Sequence, residues 1–514
     1  MTNHSDPWLT AEQNDAATST HAGLLISAGA GAGKTRVAAS RYGHLRMVQH
    51  RGDARGIVAV SFTRKATSEL RSRIVRQWGG NAIAWPNRAT TMDGLFRSTV
   101  AFLLRTGVFG WPGGGVPELE VFDHWQKRPG ATRITPDKTR QMLALDGDQL
   151  VLKAVKGTRD RAGFEHAADY LAHLSQGHCT HDEIRLIVEL ALRTHSHQVE
   201  EYLRSSIAHL LVDEAFDLNP LDLRFIAAVR RAGINVTMIG DRWQAIYSFR
   251  KADPRDIDTF VKRGSFEVVE LTSVHRFKTD EMAQLNSALR RSDPVSIGTS
   301  GPTRRADIVL GAEWKGLWAV GDSVLPVAFT SQTYSETDAA LTLLLGEIVA
   351  DWYEIEPYGT KEAHAILGIK PNRPVLQAIL AGIRDDTFTA ASALHELRSA
   401  HRTGTRRLAQ TVGRPARIGR MQSLADRLRR PERPVRGLTI HQAKGLEWDH
   451  VDLVVNEDVL DSLGRGLNPG FASDRGTFVG LTRARSTVRI RPVAGRAYAP
   501  AGQIQIDYDD DLDA

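Results

Sequence analysis

The sequence predicts an α/β protein with two parallel-sheet cores, each interrupted by a mainly helical insert. Three observations predict this class. Short apolar strand patterns alternate with longer amphipathic helical patterns, and this alternation recurs in two separate parts of the 514-residue chain. Two long stretches between those parts show mainly helical periodicity. The length fits three domain-sized units at roughly 150 residues each.

The strands are predicted from apolar, β-branched runs that end in polar turns. The first core takes its strands from residues 23–28, 57–63, 209–214 and 235–241. Helical patterns follow these strands at 34–48, 65–77 and 221–231. The second core takes its strands from residues 266–271, 324–330, 451–455 and 487–492. The expected domains are a first core (1–100 and 205–262), its helical insert (101–204), a second core (263–345 and 436–514) and an arginine-rich helical insert (346–435).

Composition excludes several classes of protein. Hydrophobic residues make up 42% and charged residues 25%, which is typical of globular chains and not of disordered or fibrous ones. The longest apolar run, 339–345, is far shorter than the ~18 residues of a membrane span, and no secretory signal is expected in the first ten residues. The single cysteine, Cys179, cannot form an intramolecular disulfide. We therefore expect a cytoplasmic protein with no membrane partner.

The sharpest functional signal directly follows the first predicted strand. Residues 28–35 have the sequence Ala-Gly-Ala-Gly-Ala-Gly-Lys-Thr, a P-loop with alanine in place of the first glycine. Glycines let backbone N–H groups turn toward phosphate oxygens, and the following helix adds its positive end. We expect Lys34 to reach the β- and γ-phosphates and Thr35 to coordinate Mg²⁺. The nucleotide-binding residues of this loop are Ala28, Gly29, Ala30, Gly31, Ala32, Gly33, Lys34, Thr35 and Arg36.

A P-loop needs a second, acidic element, because the metal must also be held from its other side. The strand at 209–214 ends in Asp213 and Glu214, at the carboxyl edge of a parallel sheet, where ligands bind in such folds. We expect Asp213 to support the metal. Glu214 is placed to accept the proton of the attacking water.

From this point the order of motifs resembles superfamily 1 helicases of the UvrD, Rep and PcrA type. The resemblance covers most of the chain, and its blocks follow one another in the family's order. They are residues 9–13 (LTAEQ), 58–74 (VAVSFTRKATSELRSRI), 212–219 (VDEAFDLN), 239–252 (IGDRWQAIYSFRKA), 271–276 (LTSVHR), 439–451 (TIHQAKGLEWDHV) and 479–485 (VGLTRAR). The resemblance implies two RecA-like P-loop NTPase cores and ATP as the nucleotide.

The resemblance also implies roles for single residues at the nucleotide. Gln13 contacts the adenine edge and Gln244 senses the γ-phosphate. Two arginines, both expected in the second core, act as arginine fingers on the transferring phosphoryl group. Contacts to the sugar and the base complete the set. The arginine fingers are Arg276 and Arg483. Glu447 contacts the sugar, and His275, at a position where the family commonly has a stacking tyrosine, contacts the base.

A track for single-stranded DNA is predicted beside the γ-phosphate sensor. Tyr247, Phe249 and Arg250 follow Gln244 within six residues. Aromatic rings stack on bases without sequence preference, each contributing roughly 1–3 kcal/mol, and arginine binds phosphate. The complete set of predicted DNA contacts is Phe62, Thr63, Lys65, Thr91, Tyr247, Phe249, Arg250 and His441.

Three departures from the family pattern bear on function. Phe216 occupies the place of a glutamine that connects the nucleotide site to neighbouring motifs. Asp93 replaces a histidine in the block Thr91-Met92-Asp93-Gly94-Leu95-Phe96, and an acid at this place is expected to repel the DNA backbone. Thr439 lies only 163 positions after Arg276, which predicts a reduced second insert.

Three further segments carry charged or potentially metal-ligating residues, and two of them allow two interpretations. Residues 401–436 contain eleven arginines and two acids, which fits either a nucleic-acid or protein surface or a solvated helical face. The last eight residues carry five carboxylates, without which the net charge rises from +6 to +11; such a tail is expected to be disordered. His173, His178, Cys179 and His181 fit a metal site or a polar helix end.

The expected function is that of an ATP- and Mg²⁺-dependent helicase that moves 3′ to 5′ on single-stranded or tailed duplex DNA. The alternative is a DNA-sensing ATPase subunit that does not unwind and that regulates a partner nuclease. The compact length also resembles the GajB subunits of Gabija antiviral systems, which accompany a separate nuclease. Phe216 and the short insert favour the alternative, whereas the intact catalytic set favours a working motor.

Overall fold

The structure, a computed structural model, describes residues 9–125, 128–146, 149–157, 161–299, 305–331, 336–367, 373–400 and 414–493. The chain forms two compact units that divide between Arg276 and Phe277, called here unit 1 and unit 2. Among the helices of these described ranges, none has both the length and the apolar content needed to cross a membrane.

Unit 1 is built on a six-stranded sheet in which all strand pairs are parallel. Its strands are β1 (Gly23–Ala28), β2 (Gly56–Ser61), β3 (Arg88–Thr91), β10 (Ile207–Val212), β11 (Asn235–Gly240) and β12 (Glu267–Leu271). The order across the sheet is β12-β1-β11-β10-β2-β3. The described segment between β3 and β10 contains further short strands, which belong to the insert. Four of the six sheet strands match the strands predicted for the first core.

The three helices predicted for the first core are confirmed as α2, α3 and α8, each starting within one residue of the expected position, and helices cover both faces of the sheet. Leu210 and Val212 lie in one buried cluster and Leu211 lies in another, so the alternating side chains of β10 are buried on both faces. The helices are α1 (Ala11–Thr18), α2 (Lys34–His44), α3 (Arg64–Trp78), α4 (Met92–Arg105), α5 (Ala167–Ser175), α6 (His181–Thr194), α7 (Ser196–Ser206), α8 (Pro220–Arg231) and α9 (Pro254–Arg263).

The insert of unit 1 is not mainly helical, and this prediction is wrong in part. It contains β4 (Glu120–Phe122), β5 (Thr132–Ile134), β6 (Thr139–Asp146), β7 (Gln149–Lys156), β8 (Arg161–Gly163) and β9 (His178–Thr180). β6 and β7 form an antiparallel hairpin, and β5 pairs with β8. These strands are stabilised by their cross-strand partners, a tertiary effect that local periodicity does not report.

The strand predicted at 266–271 belongs to the first sheet and not to the second core. β12 pairs in parallel with β1, in a register that places Leu24 opposite Glu267 and Ala28 opposite Leu271. The chain crosses from β11 through α9 and returns to the open side of β1. The predicted domain boundary at 262 therefore cuts through one continuous sheet.

Unit 2 contains a second parallel sheet of five strands. The strands are β13 (Ile308–Gly311), β14 (Val324–Pro326), β15 (Val435–Thr439), β16 (Trp448–Val455) and β17 (Ala484–Pro492). Their order is β14-β15-β13-β16-β17. The three other strands predicted for the second core are thereby confirmed, with β14 shorter than expected.

Helices make up the described part of the stretch between β14 and β15. They are α12 (Glu336–Tyr353), α13 (Thr360–Leu367), α14 (Arg373–Arg384), α15 (Ala390–Ala400) and α16 (Arg414–Leu428). The other helices of unit 2 are α10 (Asp280–Arg290), α11 (Trp314–Ala319), α17 (Ile440–Ala443), α18 (Glu457–Arg465) and α19 (Ala472–Leu481). The helical character predicted for 346–435 is confirmed for the described residues.

Candidate functional site

The glycine-rich loop follows β1 directly and ends where α2 begins. Gly31 and Gly33 both have a φ of +83°, a conformation that glycine adopts without steric cost. A Cβ added at Gly31 would lie 2.4 Å from the Cβ of Arg276. One added at Gly33 would lie 2.8 Å from Nε2 of Gln13. The backbone conformation therefore favours glycine at both positions, and the close approach of Arg276 adds crowding at Gly31.

Lys34 is the first residue of α2 and folds back over the loop. Its Nζ donates a 3.4 Å hydrogen bond to the carbonyl oxygen of Ala28 at the end of β1. Inside the loop, the backbone N–H of Ala32 donates to the carbonyl oxygen of Gly29 at 3.2 Å. The ammonium group and the helix N-terminus together give this loop a positive electrostatic character, which suits an anionic phosphate.

Gln13 is fixed against this loop. Its Oε1 accepts from the backbone N–H of Thr10 at 3.1 Å, in a capping box that starts α1. Its Nε2 donates to the carbonyl oxygen of Ala32 at 2.9 Å, and the residue is only 1% exposed. The structure thus brings Gln13 to the P-loop, as the motif implied, although its contact with a base stays a prediction.

The segment after β12 is also held beside the P-loop. Glu12 accepts hydrogen bonds from the backbone N–H of Thr272 at 3.1 Å and of Ser273 at 2.7 Å. Partial burial raises the pKa of Glu12, but the hydrogen bonds from Ser273 and Thr272 outweigh it and lower the pKa to about 2. The backbone N–H of His275 donates to the carbonyl oxygen of Gly31 at 3.0 Å.

Arg276 therefore lies in unit 1, and its expected place in the second core is wrong. It is the last residue of that unit, and its backbone N would lie 3.1 Å from a Cβ built on Gly31. The physical reason is the pairing of β12 with β1, which carries the following residues onto the loop that follows β1. An arginine and the P-loop are thus neighbours within one unit.

Asp213 and Glu214 follow β10 at the same sheet edge as the P-loop, because every strand in this sheet is parallel. The backbone N–H of Asp213 donates to the carbonyl oxygen of Val60 at 2.8 Å, and Oδ1 of Asp213 accepts from the backbone N–H of Glu214 at 3.0 Å. Glu214 has φ 56° and ψ 45°, a left-handed conformation that costs a non-glycine residue about 1–2 kcal/mol. Such strain is concentrated at functional sites.

Gln244 is buried in the turn after β11, next to β1 in the sheet. Its Nε2 donates to Oδ2 of Asp241 at 2.7 Å, while Oδ1 of Asp241 accepts from the backbone N–H of Trp243 at 3.1 Å. Asp241 thus orients the Gln244 amide, a role that the sequence interpretation missed. The available signal was an aspartate directly after a strand and three residues before the glutamine.

The predicted DNA contacts of two separate motifs meet in one cluster. The rings of Phe62 and Tyr247 have centroids 4.7 Å apart, and the rings of Tyr247 and Phe249 have centroids 5.7 Å apart. The guanidinium carbon of Arg250 lies 4.3 Å from the centre of the Phe62 ring. Phe249 is 41% exposed. We call Phe62, Tyr247, Phe249 and Arg250 the aromatic cluster.

Three other predicted DNA contacts lie at nearby helix starts. The Thr63 hydroxyl accepts from the backbone N–H of Ala66 at 3.1 Å and caps α3, in whose first turn Lys65 is exposed. The Thr91 hydroxyl caps α4 by accepting from the backbone N–H of Gly94 at 3.0 Å. Both threonines hence have structural roles at the carboxyl ends of β2 and β3.

Unit 2 carries the remaining predicted residues. Arg483 is buried, and its guanidinium donates to the carbonyl oxygen of Val479 at 3.1 Å and of Leu446 at 3.5 Å. Its own carbonyl oxygen accepts from the backbone N–H of Trp448 at 3.0 Å. Arg483 therefore contacts both chain neighbours of Glu447, and the two predicted nucleotide contacts of unit 2 come together. His441 is exposed in α17.

The two single-residue departures from the family pattern, Phe216 and Asp93, have distinct surroundings. Phe216 is buried in the apolar core of unit 1, where a Cβ added at Gly240 would lie 2.8 Å from its Cδ2. Asp93, expected to repel DNA, is paired with Arg185 of α6, whose Nε donates to Oδ1 at 2.8 Å. The carboxylate charge at this position is thus compensated by the insert.

Several arginines between residues 417 and 436 bind groups of unit 2 itself. Arg427 is buried and donates to the carbonyl oxygens of Val324, Ser423, Trp318 and Gly321. Further ion pairs join Arg420 to Asp338 at 3.0 Å and Arg430 to Asp322 at 2.6 Å. These arginines stabilise the helical insert. Residues 401–413 and the acidic tail lie outside the described residues.

The histidine and cysteine cluster forms a packed corner of the insert. Nδ1 of His173 lies 3.0 Å from Nδ1 of His178, and Nε2 of His173 lies 2.8 Å from the carbonyl oxygen of Pro129. Burial raises the pKa of the Cys179 thiol to about 12. His181 lies beside Asp93 and Asp123. Within the described ranges no group of three metal-ligating side chains converges.

A parallel sheet with a Gly-Lys-Thr loop at its carboxyl edge and an acidic pair two strands away gives unit 1 the architecture that is typical of P-loop nucleotide-binding domains. Comparison with known proteins agrees: residues 13–250 match a family described as an AAA domain.

Known relatives narrow the class further. The chain is 28% identical over 273 residues to the putative ATP-dependent DNA helicase YjcD of Bacillus subtilis, covering 49% of this chain and 34% of the relative. It is 26% identical over 250 residues to the ATP-dependent DNA helicase Rep of Salmonella typhimurium (45% and 36%). It is 23% identical over 271 residues to the ATP-dependent DNA helicase PcrA of Staphylococcus aureus (49% and 36%). The matched segment spans about a third of the length of these relatives. The predicted similarity to UvrD-, Rep- and PcrA-type helicases is confirmed.

Proposed function

We propose that this chain is an ATP-dependent motor that moves 3′ to 5′ along single-stranded DNA and separates duplexes. The observation that carries the proposal is the common sheet edge of unit 1. The P-loop, the acidic pair, Gln244 and the aromatic cluster all follow strands of one parallel sheet, so a nucleotide site and a DNA-binding surface share one support. The names of the relatives, ATP-dependent DNA helicases, support the same function.

The residues at this edge fit a nucleotide with Mg²⁺. Thr35 and Asp213 would hold the ion, because hydroxyl and carboxylate oxygens are the hard ligands that Mg²⁺ prefers. The bound ion supplies charge neutralisation to the phosphates. Lys34 binds the β- and γ-phosphates, and Glu214 accepts the proton of the attacking water at its carboxylate. Gln13, held at Ala32, contacts the adenine edge.

Two arginines are proposed to stabilise charge on the transferring phosphoryl group. Arg276 belongs to unit 1 and lies beside Gly31, which supports a role at the phosphates. Arg483 belongs to unit 2 and is proposed as the second arginine finger, with Glu447 on the sugar. We propose unit 2 as a second RecA-like core with the reduced helical insert between β14 and β15. The first core then extends to Arg276.

A strand-displacement assay run beside an ATPase assay tests the proposal. Duplexes with a 3′ or a 5′ single-stranded tail are the substrates, and the 3′-tailed duplex is expected to be separated when ATP and Mg²⁺ are present. Displacement of the 5′-tailed duplex alone would contradict the polarity. Absence of DNA-stimulated ATP turnover in the wild-type chain would contradict the motor itself.

The Lys34→Ala variant provides the matched negative control. Loss of the ammonium removes the contact to the β- and γ-phosphates, so we expect ATP turnover and strand displacement to fall to background. Lys262→Ala, at an exposed lysine near the end of α9, removes an equal charge from the same unit and should behave as wild type. Wild-type hydrolysis by Lys34→Ala would mean that the loop is not a phosphate site.

A second candidate function is a DNA-sensing ATPase subunit that does not unwind. The observation that favours it is Phe216, a buried ring where the related motif has a coupling glutamine. ATP turnover that rises with DNA while both tailed duplexes stay intact would support this candidate. A nuclease partner, as in Gabija systems, stays a prediction that copurification from the native host would test.

A further inference from the structure

Asp93 lies at the centre of a network of charged side chains that begins at the aromatic cluster. We call Arg250, Asp93, Arg185 and Asp222 the charged network. Nε and Nη2 of Arg185 each lie 2.8 Å from Oδ1 of Asp93. The other carboxylate oxygen, Oδ2, lies 4.0 Å from Nη2 of Arg250 and 3.9 Å from Nδ1 of His181. Since Arg250 packs on the Phe62 ring, Asp93 joins the predicted DNA-binding surface to the insert.

The charged network continues from the insert to the segment that carries the proposed general base. Nη1 of Arg185 lies 3.3 Å from Oδ1 of Asp222, whose side chain is 1% exposed. Oδ2 of Asp222 accepts from the backbone N–H of Asn219 at 3.0 Å and thereby closes the cap of α8. Asn219 is five residues after Glu214, and the short turn Ala215–Asp217 lies between them.

Both ends of the charged network therefore contact functional segments. Arg185 has little exposure and interacts with two carboxylates, so a change at either one alters the electrostatic balance of the other. A phosphate that binds Arg250 would compete with Asp93 for the guanidinium. This competition changes the electrostatic interaction between Asp93 and Arg185. The interaction between Arg185 and Asp222 changes with it.

We propose that Asp93, Arg185 and Asp222 are positioning residues that couple DNA binding at the aromatic cluster to ATP turnover at Glu214. This inference rests on the proposed function. It assigns the coupling between DNA binding and ATP turnover to these three side chains. It gives Asp93 a role other than repelling DNA. It also places coupling outside position 216, where Phe216 has no side-chain hydrogen bond to offer.

The test compares Asp93→Asn with a matched control, Glu189→Gln. Asparagine keeps the size of the side chain and an oxygen acceptor but removes the charge. Glu189 pairs with Arg224 at 2.7 Å and joins the same two helices, α6 and α8, at the exposed surface. The readout is the ratio of ATP turnover at saturating single-stranded DNA to turnover without DNA, with the DNA concentration for half-maximal stimulation measured in the same titration.

We expect Asp93→Asn to lower this ratio about tenfold, the size of effect that coupled neighbouring charges produce. The half-maximal DNA concentration should change by less than threefold, and Glu189→Gln should match wild type in both quantities. An unchanged ratio in Asp93→Asn would overturn the inference. Tighter DNA binding with an unchanged ratio would overturn it as well, and would show that Asp93 merely repels the backbone.

A double variant separates coupling from a loss of folding. Arg250→Gln removes the DNA-side end of the charged network. Adding Asp93→Asn to this variant should therefore lower the ratio of DNA-stimulated to basal ATP turnover no further. Fully additive losses would overturn the inference. Thermal melting of each variant accompanies the assay, and Arg185→Lys, which keeps the charge, serves as the milder probe if Asp93→Asn melts early. If the wild-type ratio is one, the proposed function fails and not the coupling alone.

Discussion

At the scale of single residues, the candidate site depends on unusual backbone conformations. Gly31 and Gly33 turn the P-loop with positive φ, and Glu214 takes the same left-handed region despite its side chain. The strain at Glu214 persists because Asp213 and the ends of β2 and β10 fix the chain on its amino side. The local geometry thus marks the residue proposed as the general base.

Substitution of Glu214 by glutamine tests this role. Glutamine keeps the shape of the side chain and cannot accept the proton of water, so turnover at saturating ATP should fall about 10²-fold or more, with ATP affinity retained. Turnover and nucleotide binding are measured separately, by steady-state hydrolysis and by titration with a labelled nucleotide. Glu267→Gln, at an exposed carboxylate in β12, is the control. Lost affinity with intact turnover would contradict the assignment.

At the scale of elements, α16 shows how a basic segment becomes part of a core. Arg417 and Arg420 of this helix pair with the carboxylate of Asp338. Arg427 donates to four carbonyl oxygens, and its guanidinium carbon lies 4.4 Å from the centre of the Trp318 ring. Burial lowers the pKa of Arg427 to about 10. This side chain joins α16 to the start of β14 and to the residues after α11.

Arg427→Met is expected to destabilise unit 2 by about 3 kcal/mol, because the carbonyl groups lose their donors while the apolar volume is kept. Urea unfolding followed by the fluorescence of unit 2 tryptophans measures the change. Lys361→Met, which removes a fully exposed pair with Glu356, should cost less than about 0.5 kcal/mol. A shift below about 1 kcal/mol for Arg427→Met would contradict a structural role.

At the scale of the whole molecule, stability should depend on pH through buried basic groups in unit 1. Nε of Arg41 and Nε2 of His209 share the hydroxyl of Thr237, at 3.1 and 2.9 Å. Burial, with Arg41 and His50 nearby, lowers the pKa of His209 well below 6.5. Burial likewise lowers the pKa of His50. The folded state therefore holds His209 neutral.

The sign of the pH effect follows from proton binding. Below about pH 6.5 the unfolded chain takes up a proton at His209 that the folded chain does not. The free energy of unfolding therefore decreases by about 1.4 kcal/mol for each unit by which the pH is lowered, as far as this group is concerned. His209→Gln should remove that slope between pH 6.5 and 5 in urea titrations. His21→Gln, at an exposed histidine, should leave it unchanged. An identical slope in His209→Gln would contradict the assignment.

Sequence by itself determined the local parts of this protein. The strand, loop and helix around Lys34, the acids that end β10 and the sensor turn after β11 all follow from periodicity and from turn chemistry, which act over a few residues. Because parallel strands deliver their carboxyl ends to one edge, the gathering of these motifs could also be predicted.

Tertiary structure alone decided which distant segments meet. It put β12 beside β1 and hence Arg276 beside Gly31, and it joined Asp93 to Arg185 across 92 residues. It also buried Arg427, which composition left open between a nucleic-acid surface and a solvated face. Contacts of this kind depend on the path of the chain through the sheet and on burial, neither of which a local residue pattern encodes.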